Sequence, residues 1–186
     1  MRLVEVEEAG APVDCEPVHW RLLTTLPAAD AAAAWGIVED YRRRWRIEEY
    51  FRILKRSGMD LEEARLEGAH ALHNLVAIGA VAGLAVMQLV EGRDAAPTHR
   101  ATAVIAPETV LFVIALCATL EGKTAKQQNP HEQGSLAWLA WVVARLGGWS
   151  GYARYGKAGP KTIAAGWQIF TTMRHGWALR KEAKDV

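Results

Sequence analysis

A long apolar segment, about residues 69–90, most limits how this chain of 186 residues can fold. A helix of that composition has to be covered, either by a protein core or by a membrane. Its uninterrupted apolar run, Leu75 to Met87, is shorter than the roughly 20 residues that a bilayer requires. We therefore expect a buried core helix here, and a small helical membrane protein is the alternative.

Strand-like patterns come before this segment. Residues 3–6 and 18–25 are rich in β-branched and apolar side chains, and glycine and prolines interrupt the chain between them. These two segments predict an antiparallel hairpin. Asp30 or Pro27 then begins one long helix, which we expect to run from about Ala31 to Lys55 or Arg56.

The second half of the chain has helical patterns throughout. Helices are predicted at 108–120 after Pro107, at 136–146 after a capping Ser135, and from Pro160 to about residue 180. The sequence as a whole therefore predicts an α+β protein that is mostly α-helical. Five tryptophans in this half suit a core or an interface equally well: Trp138, Trp141, Trp149, Trp167 and Trp177.

The charges are unevenly distributed, although the formal net charge is only +1. Residues 1–40 hold two basic and eight acidic side chains, whereas residues 41–56 hold seven basic and two acidic ones. Such a sharp reversal indicates a localised contact with a polyanion. The two cysteines, Cys15 and Cys117, lack metal-ligand spacing, and the first residues lack the apolar region of a signal peptide. Both features favour a reducing, cytoplasmic location without a membrane partner.

The predicted long helix gathers its charged and aromatic residues on one side. At 100° per residue, six side chains fall on a face about 100° wide, with one carboxylate among them: Tyr41, Arg44, Trp45, Glu48, Arg52 and Lys55. The opposite side carries residues suited to a core, namely Ile47, Tyr50, Ile53 and Leu54. One interpretation of Glu48 is an ordinary ion pair on a solvated helix.

The spacing of four of these residues favours a second interpretation. Tyr41, Arg44, Glu48 and Lys55 follow the pattern Tyr-x2-Arg-x3-Glu-x6-Lys, and this resembles the signature of the IS4-type transposases. The text around Glu48 and the strand at residues 20–24 are also similar to that family. Residues 135–148 resemble the closing helices of its Tn5-like members. The similarity extends over nearly the whole chain.

The resemblance implies a role for each of these residues in a cut-and-paste DDE transposase. Glu48 would be the catalytic glutamate and a ligand of Mg²⁺, with Mn²⁺ as a possible substitute. Tyr41, Arg44 and Lys55 would hold phosphates of the transposon end, and Arg52 lies on the same cationic face. Trp20 and Trp45 would serve a base-flipping step, and the alternative for Trp20 is a core residue on an edge strand.

The chain departs from the family in one respect. The two catalytic aspartates of such enzymes lie on strands well upstream of the glutamate helix, and Asp14, Asp30 and Asp40 do not fit those positions. We expect residues 1–91 to be the end of an RNase H-like core, with about two strands and a long helix. Residues 92–186 would form an all-α dimerisation domain. The expected partners are DNA and a second transposase subunit, and the alternative function is a catalytically dead partner that inhibits full-length transposase.

Overall fold

The computed structural model describes residues 1–56, 64–152, 154 and 156–183. Two antiparallel strands and several helices make it an α+β protein that is mostly helical, so the predicted fold class is confirmed. Its contacts divide the chain into two compact units, Met1–Glu49 and Tyr50–Val186.

The first unit contains the predicted hairpin. Strand β1 (Arg2–Glu7) pairs antiparallel with strand β2 (His19–Thr24), and Val4 lies opposite Leu22. Because side chains alternate across a strand, Val4 and Leu22 share one face and are buried there. Ile37 of the following helix completes this small core.

The other face of the hairpin carries an ion-pair cluster. The Glu5 carboxylate accepts hydrogen bonds from Arg21 at 3.0 Å and from His19 at 2.6 Å. The Arg21 hydrogen bond, followed by that from His19, lowers the pKa of Glu5. All three side chains are exposed, so this cross-strand cluster orients the hairpin without forming part of its core.

Helix α1 (Ala31–Arg42) begins at Asp30, as predicted. The Asp30 carboxylate accepts a hydrogen bond from the backbone N–H of Ala33 at 2.8 Å, which satisfies one of the free donors at the helix start. The chain thus passes from strand to helix at a well-defined residue.

The predicted single helix from Ala31 to Arg56 is wrong, because a break at Arg43 and Arg44 separates α1 from helix α2 (Trp45–Arg56). At the break the backbone N–H of Arg44 bonds to the carbonyl of Tyr41 at 3.0 Å, an i→i−3 contact that tightens the turn. Four arginines stand within positions 42–46. On a continuous helix Arg42 and Arg46, four residues apart, would face each other, and a like-charge pair at this spacing disfavours the helix.

The second unit begins on α2 and continues into helix α3 (Ala69–Gly92). Ile53 and Leu54 of α2 are buried, and the Tyr50 hydroxyl donates to the Ala80 carbonyl at 2.8 Å. A Cβ on Gly83 would lie 2.7 Å from Leu54 Cδ2, so this glycine permits close packing. The core-facing side predicted for this stretch is therefore confirmed for Tyr50, Ile53 and Leu54. It is wrong for Ile47, which is 57% exposed.

Three further helices complete the second unit, near their predicted positions: α4 (Val110–Leu120), α5 (Leu136–Leu146) and α6 (Pro160–Glu182). Ser135 caps α5 as predicted, since its hydroxyl accepts the backbone N–H of Trp138 at 3.1 Å. Helix α5 is almost fully buried and lies against α3, α4 and α6. It is therefore the central element of the helical core.

Helix α3 is only partly covered. Val86 and Leu89 are fully buried, whereas Ile78 and Val81 are 69% and 72% exposed. Among the described residues it is the helix whose length and composition would suffice to cross a membrane. Its second half belongs to the same core as α5 and α6. The functional boundary predicted at residues 91 and 92 stays a prediction.

Candidate functional site

The residues predicted to carry function gather around Arg44, at the break between α1 and α2. The Arg44 guanidinium lies 3.4 Å from the Glu48 carboxylate (Nη2 to Oε1). Its Cζ atom lies 5.6 Å from the ring centre of Tyr41 and 5.8 Å from that of Trp45. We call these four residues the Arg44 cluster.

The break does not separate the members of the Arg44 cluster. Tyr41 belongs to α1 and Glu48 to α2, and Arg44 between them contacts both side chains. The predicted neighbourhood of Tyr41, Arg44 and Glu48 is therefore present, although a regular helix is not what creates it.

Trp20 extends the aromatic part of this region. Its ring meets Tyr41 edge to face, with centroids 5.3 Å apart and planes at 72°. Trp20 is half-buried and packs against the hairpin core, whereas Trp45 is 55% exposed. The core interpretation of Trp20 thus has a structural basis, and Trp45 presents a free aromatic face next to a guanidinium.

Arg52 and Lys55 lie further along α2. They follow Glu48 by four and seven residues, which on a helix places them one and about two turns later on the same side. Both side chains are exposed. The predicted role of Arg52 and Lys55 in a cationic DNA-binding face stays a prediction.

Carboxylates accompany the arginines near the break. Arg42 pairs with Glu39 at 2.7 Å, and Arg43 pairs with Asp40 at 3.2 Å. These groups are more than two-fifths exposed, and exposed pairs of this kind contribute only about 0–1 kcal/mol. An arriving phosphate can consequently replace a carboxylate partner at little cost.

A complete metal site is not formed by the residues that the structure describes. They contain no group of three or more His, Cys, Asp or Glu side chains placed to hold an ion. Glu48 forms an ion pair with Arg44 and is 44% exposed. One carboxylate does not fix a divalent cation, so Glu48 can supply a single ligand and no more.

Besides Glu5 on the hairpin, two titratable groups outside the Arg44 cluster have shifted pKa values. Burial raises the pKa of the Cys117 thiol, and burial lowers that of His131. Cys117 contacts Asn129 and Glu121 within the helical core and remains a thiol there. Neither group adds to the predicted chemistry.

Residues 7–83 match the family model of the transposase DDE domain. The matched range begins in β1, contains Trp20 and all of residues 41–55, and ends within α3. This match supports a DDE transposase and hence a role in DNA transposition. The IS4-type assignment and the roles of its signature residues stay predictions.

Proposed function

We propose that this chain is the C-terminal part of a cut-and-paste DDE transposase of the IS4 type, acting on DNA in the bacterial cytoplasm at the nucleoid. The transposase match over residues 7–83 supports the general activity. The observation that carries the finer proposal is the Arg44 cluster, in which one guanidinium contacts both Tyr41 and Glu48.

In this proposal the cationic face of α2 and the break before it hold the transposon end. Arg44, Arg52 and Lys55 neutralise backbone phosphates, and the Tyr41 hydroxyl donates a hydrogen bond to one of them. Trp45 is the better placed of the two tryptophans to stack on an unpaired base, because more than half of it is exposed. Trp20 supports Tyr41 from the hairpin side.

Glu48 is proposed as one carboxylate ligand of the catalytic Mg²⁺, or Mn²⁺. The remaining carboxylates must come from a part of the transposase outside the residues described here. When bound, the cations stabilise charge at the phosphate that is cleaved. Arg44 has a second role in this arrangement, since its ion pair with the Glu48 carboxylate orients that side chain before DNA arrives.

The helical residues 92–186 are proposed to form the dimerisation region, and residues 1–91 the end of the RNase H-like core. The partner would be another copy of the same transposase. A dominant inhibitor that pairs with full-length transposase is the second candidate function. Its support is that the second unit, Tyr50–Val186, has its own core, while the described residues contain no complete acidic site.

Charge removal on the cationic face should weaken duplex DNA binding. We expect Arg44→Gln and Lys55→Gln each to lower the slope of log affinity against log salt by about 0.9, because each removes one phosphate contact. Lys161→Gln, an exposed lysine at the start of α6, serves as the control and should leave the slope unchanged. Fluorescence anisotropy at several salt concentrations measures all three. Equal effects of the three substitutions would contradict a localised site.

The 186-residue chain alone should not nick DNA. A single ligand leaves a cation mostly to water, so no ion is held where phosphoryl transfer requires it. The measurement is conversion of supercoiled plasmid to open circles with Mg²⁺ or Mn²⁺. Metal-dependent nicking that disappears in Glu48→Ala would show that the chain contains a complete site after all.

A further inference from the structure

A cavity of about 580 Å³ lies between the start of α4 and the last turns of α6. Its volume is within the range of about 300–1,000 Å³ that small-molecule sites occupy. The lining combines apolar side chains with charged ones: Leu111, Phe112 and Trp177 with Glu108, Arg174 and Arg180. All of these residues belong to the second unit.

The apolar side of the cavity is built from aromatic rings that contact one another at a tilt of 50°. Phe112 is buried and lies 5.6 Å from Trp177 and 5.5 Å from Phe170, measured between ring centroids. These contacts support one side of the Trp177 indole, yet Trp177 remains 42% exposed. An indole that is packed against the protein on one side and exposed to solvent on the other can stack with another flat ring.

The charged side of the cavity has an excess of positive groups. Arg174 and Arg180 flank Trp177 at three residues on either side, and His175 lines the same space. Across the described part of the chain, neither arginine forms an ion pair, in contrast to Arg42 and Arg43. Among the described residues, Glu108 supplies the carboxylate in the lining. The cavity therefore presents two guanidinium groups that have no ion-pair partner among the described residues, next to the exposed face of an indole.

We propose that this cavity binds a nucleotide of an unpaired DNA strand. The base stacks on Trp177, and the flanking phosphates bind Arg174 and Arg180. Glu108 accepts a hydrogen bond from an exocyclic amino group, which favours cytosine or adenine over thymine. This inference rests on the proposed function, because DNA transposition is what brings unpaired strand to the protein.

Charge favours this occupant over a second copy of the chain. An isologous contact through this face would place the Arg174 and Arg180 side chains of both copies together, and within the described lining the Glu108 carboxylates alone would balance them. A nucleic acid strand instead brings the phosphates that these guanidinium groups lack. The exposed apolar area of Leu111 and Trp177 is covered in either case, so apolar burial does not decide between the two occupants.

The test measures binding of the full chain to labelled single strands and duplexes of equal length. Trp177→Ala should lower single-strand affinity about tenfold, because one stacked base is lost, and should leave duplex affinity unchanged. Arg174→Gln and Arg180→Gln should each reduce the single-strand salt slope by about 0.7. Trp177→Phe keeps a ring and should restore most of the binding. Glu108→Gln should weaken oligo-dC and oligo-dA binding but not oligo-dT binding.

Two controls and two contrary outcomes complete this experiment. Trp35→Ala removes another exposed tryptophan, and Lys161→Gln another cation, and neither should change single-strand binding. An equal loss in Trp35→Ala and Trp177→Ala would overturn the proposal. So would a dimer that Trp177→Ala converts to monomer without any change in DNA binding. Failure of the transposase assignment is distinguished by a separate measurement, the duplex binding of Arg44→Gln and Lys55→Gln, which would then match that of the Lys161→Gln control.

Discussion

Replacing Gly166 with alanine should destabilise the helical unit by about 3 kcal/mol, at the upper end of the usual cost of overpacking. A Cβ on Gly166 would overlap the carbonyl oxygen of Val143 near the end of α5. The reciprocal position is equally tight, since a Cβ on Gly147 would overlap the carbonyl oxygen of Thr162. Two backbones are in direct contact here, and a backbone cannot move aside as a flexible side chain can.

Gly176→Ala provides a matched control for this prediction. It lies on the same helix, and a Cβ there would have no heavy atom within 4 Å. Alanine is the better helix former, so we expect a gain of about 0.5–1 kcal/mol. Thermal unfolding measured by circular dichroism should show Gly166→Ala melting about 6–12 °C lower than the parent and Gly176→Ala slightly higher. A similar melting temperature for the two variants would contradict the close contact between α5 and α6.

Local sequence signals predicted most elements of this fold. Two segments rich in β-branched and apolar residues predicted the hairpin. Ser135 predicted the start of α5, and Asp30 was one of two predicted starts of α1, because a cap acts within one turn of the residue that makes it. The apolar segment at residues 69–90 predicted α3. These outcomes depend on contacts between residues close in sequence, which the sequence alone specifies.

The break at Arg43 and Arg44 was not predictable in the same way. Arginine is a good helix former, and the charged face continues with the same period on both sides of the break. The four arginines in positions 42–46 were the feature of the sequence that could have indicated a break. How much their mutual repulsion destabilises a helix depends on which carboxylates pair with them in the fold.

The cavity beside Trp177 could not be predicted from the sequence either. The positions of Arg174 and Arg180, three residues on either side of Trp177, were visible as a pattern on one helix. The contact between Trp177 and Phe112 depends on how α4 packs against α6, and residues 112 and 177 are far apart along the chain. The sequence therefore indicated that Trp177 belongs to a core or an interface, but not which residues surround it.

Glu48→Gln should abolish DNA cleavage in a complete transposase that contains this chain. Glutamine keeps the size of the side chain but removes the charge that a divalent cation requires of its ligand. Replacing residues that merely support a metal ligand already costs about 10–100-fold in activity or affinity, so loss of the ligand itself should cost more than about 100-fold. Binding of transposon ends should be kept or become tighter, because Arg44 loses its competing carboxylate.

The most direct test of this account compares Glu48→Gln with Glu49→Gln in that complete protein. Glu49 is the adjacent residue, carries the same charge and lies about 100° further around α2. End binding by gel shift and strand nicking with Mg²⁺ are measured on the same end-bearing DNA. We expect both variants to bind the transposon ends. Of the two, Glu49→Gln should still nick the DNA and Glu48→Gln should not. Nicking by Glu48→Gln at the parent rate would contradict the assignment of Glu48 to the catalytic site.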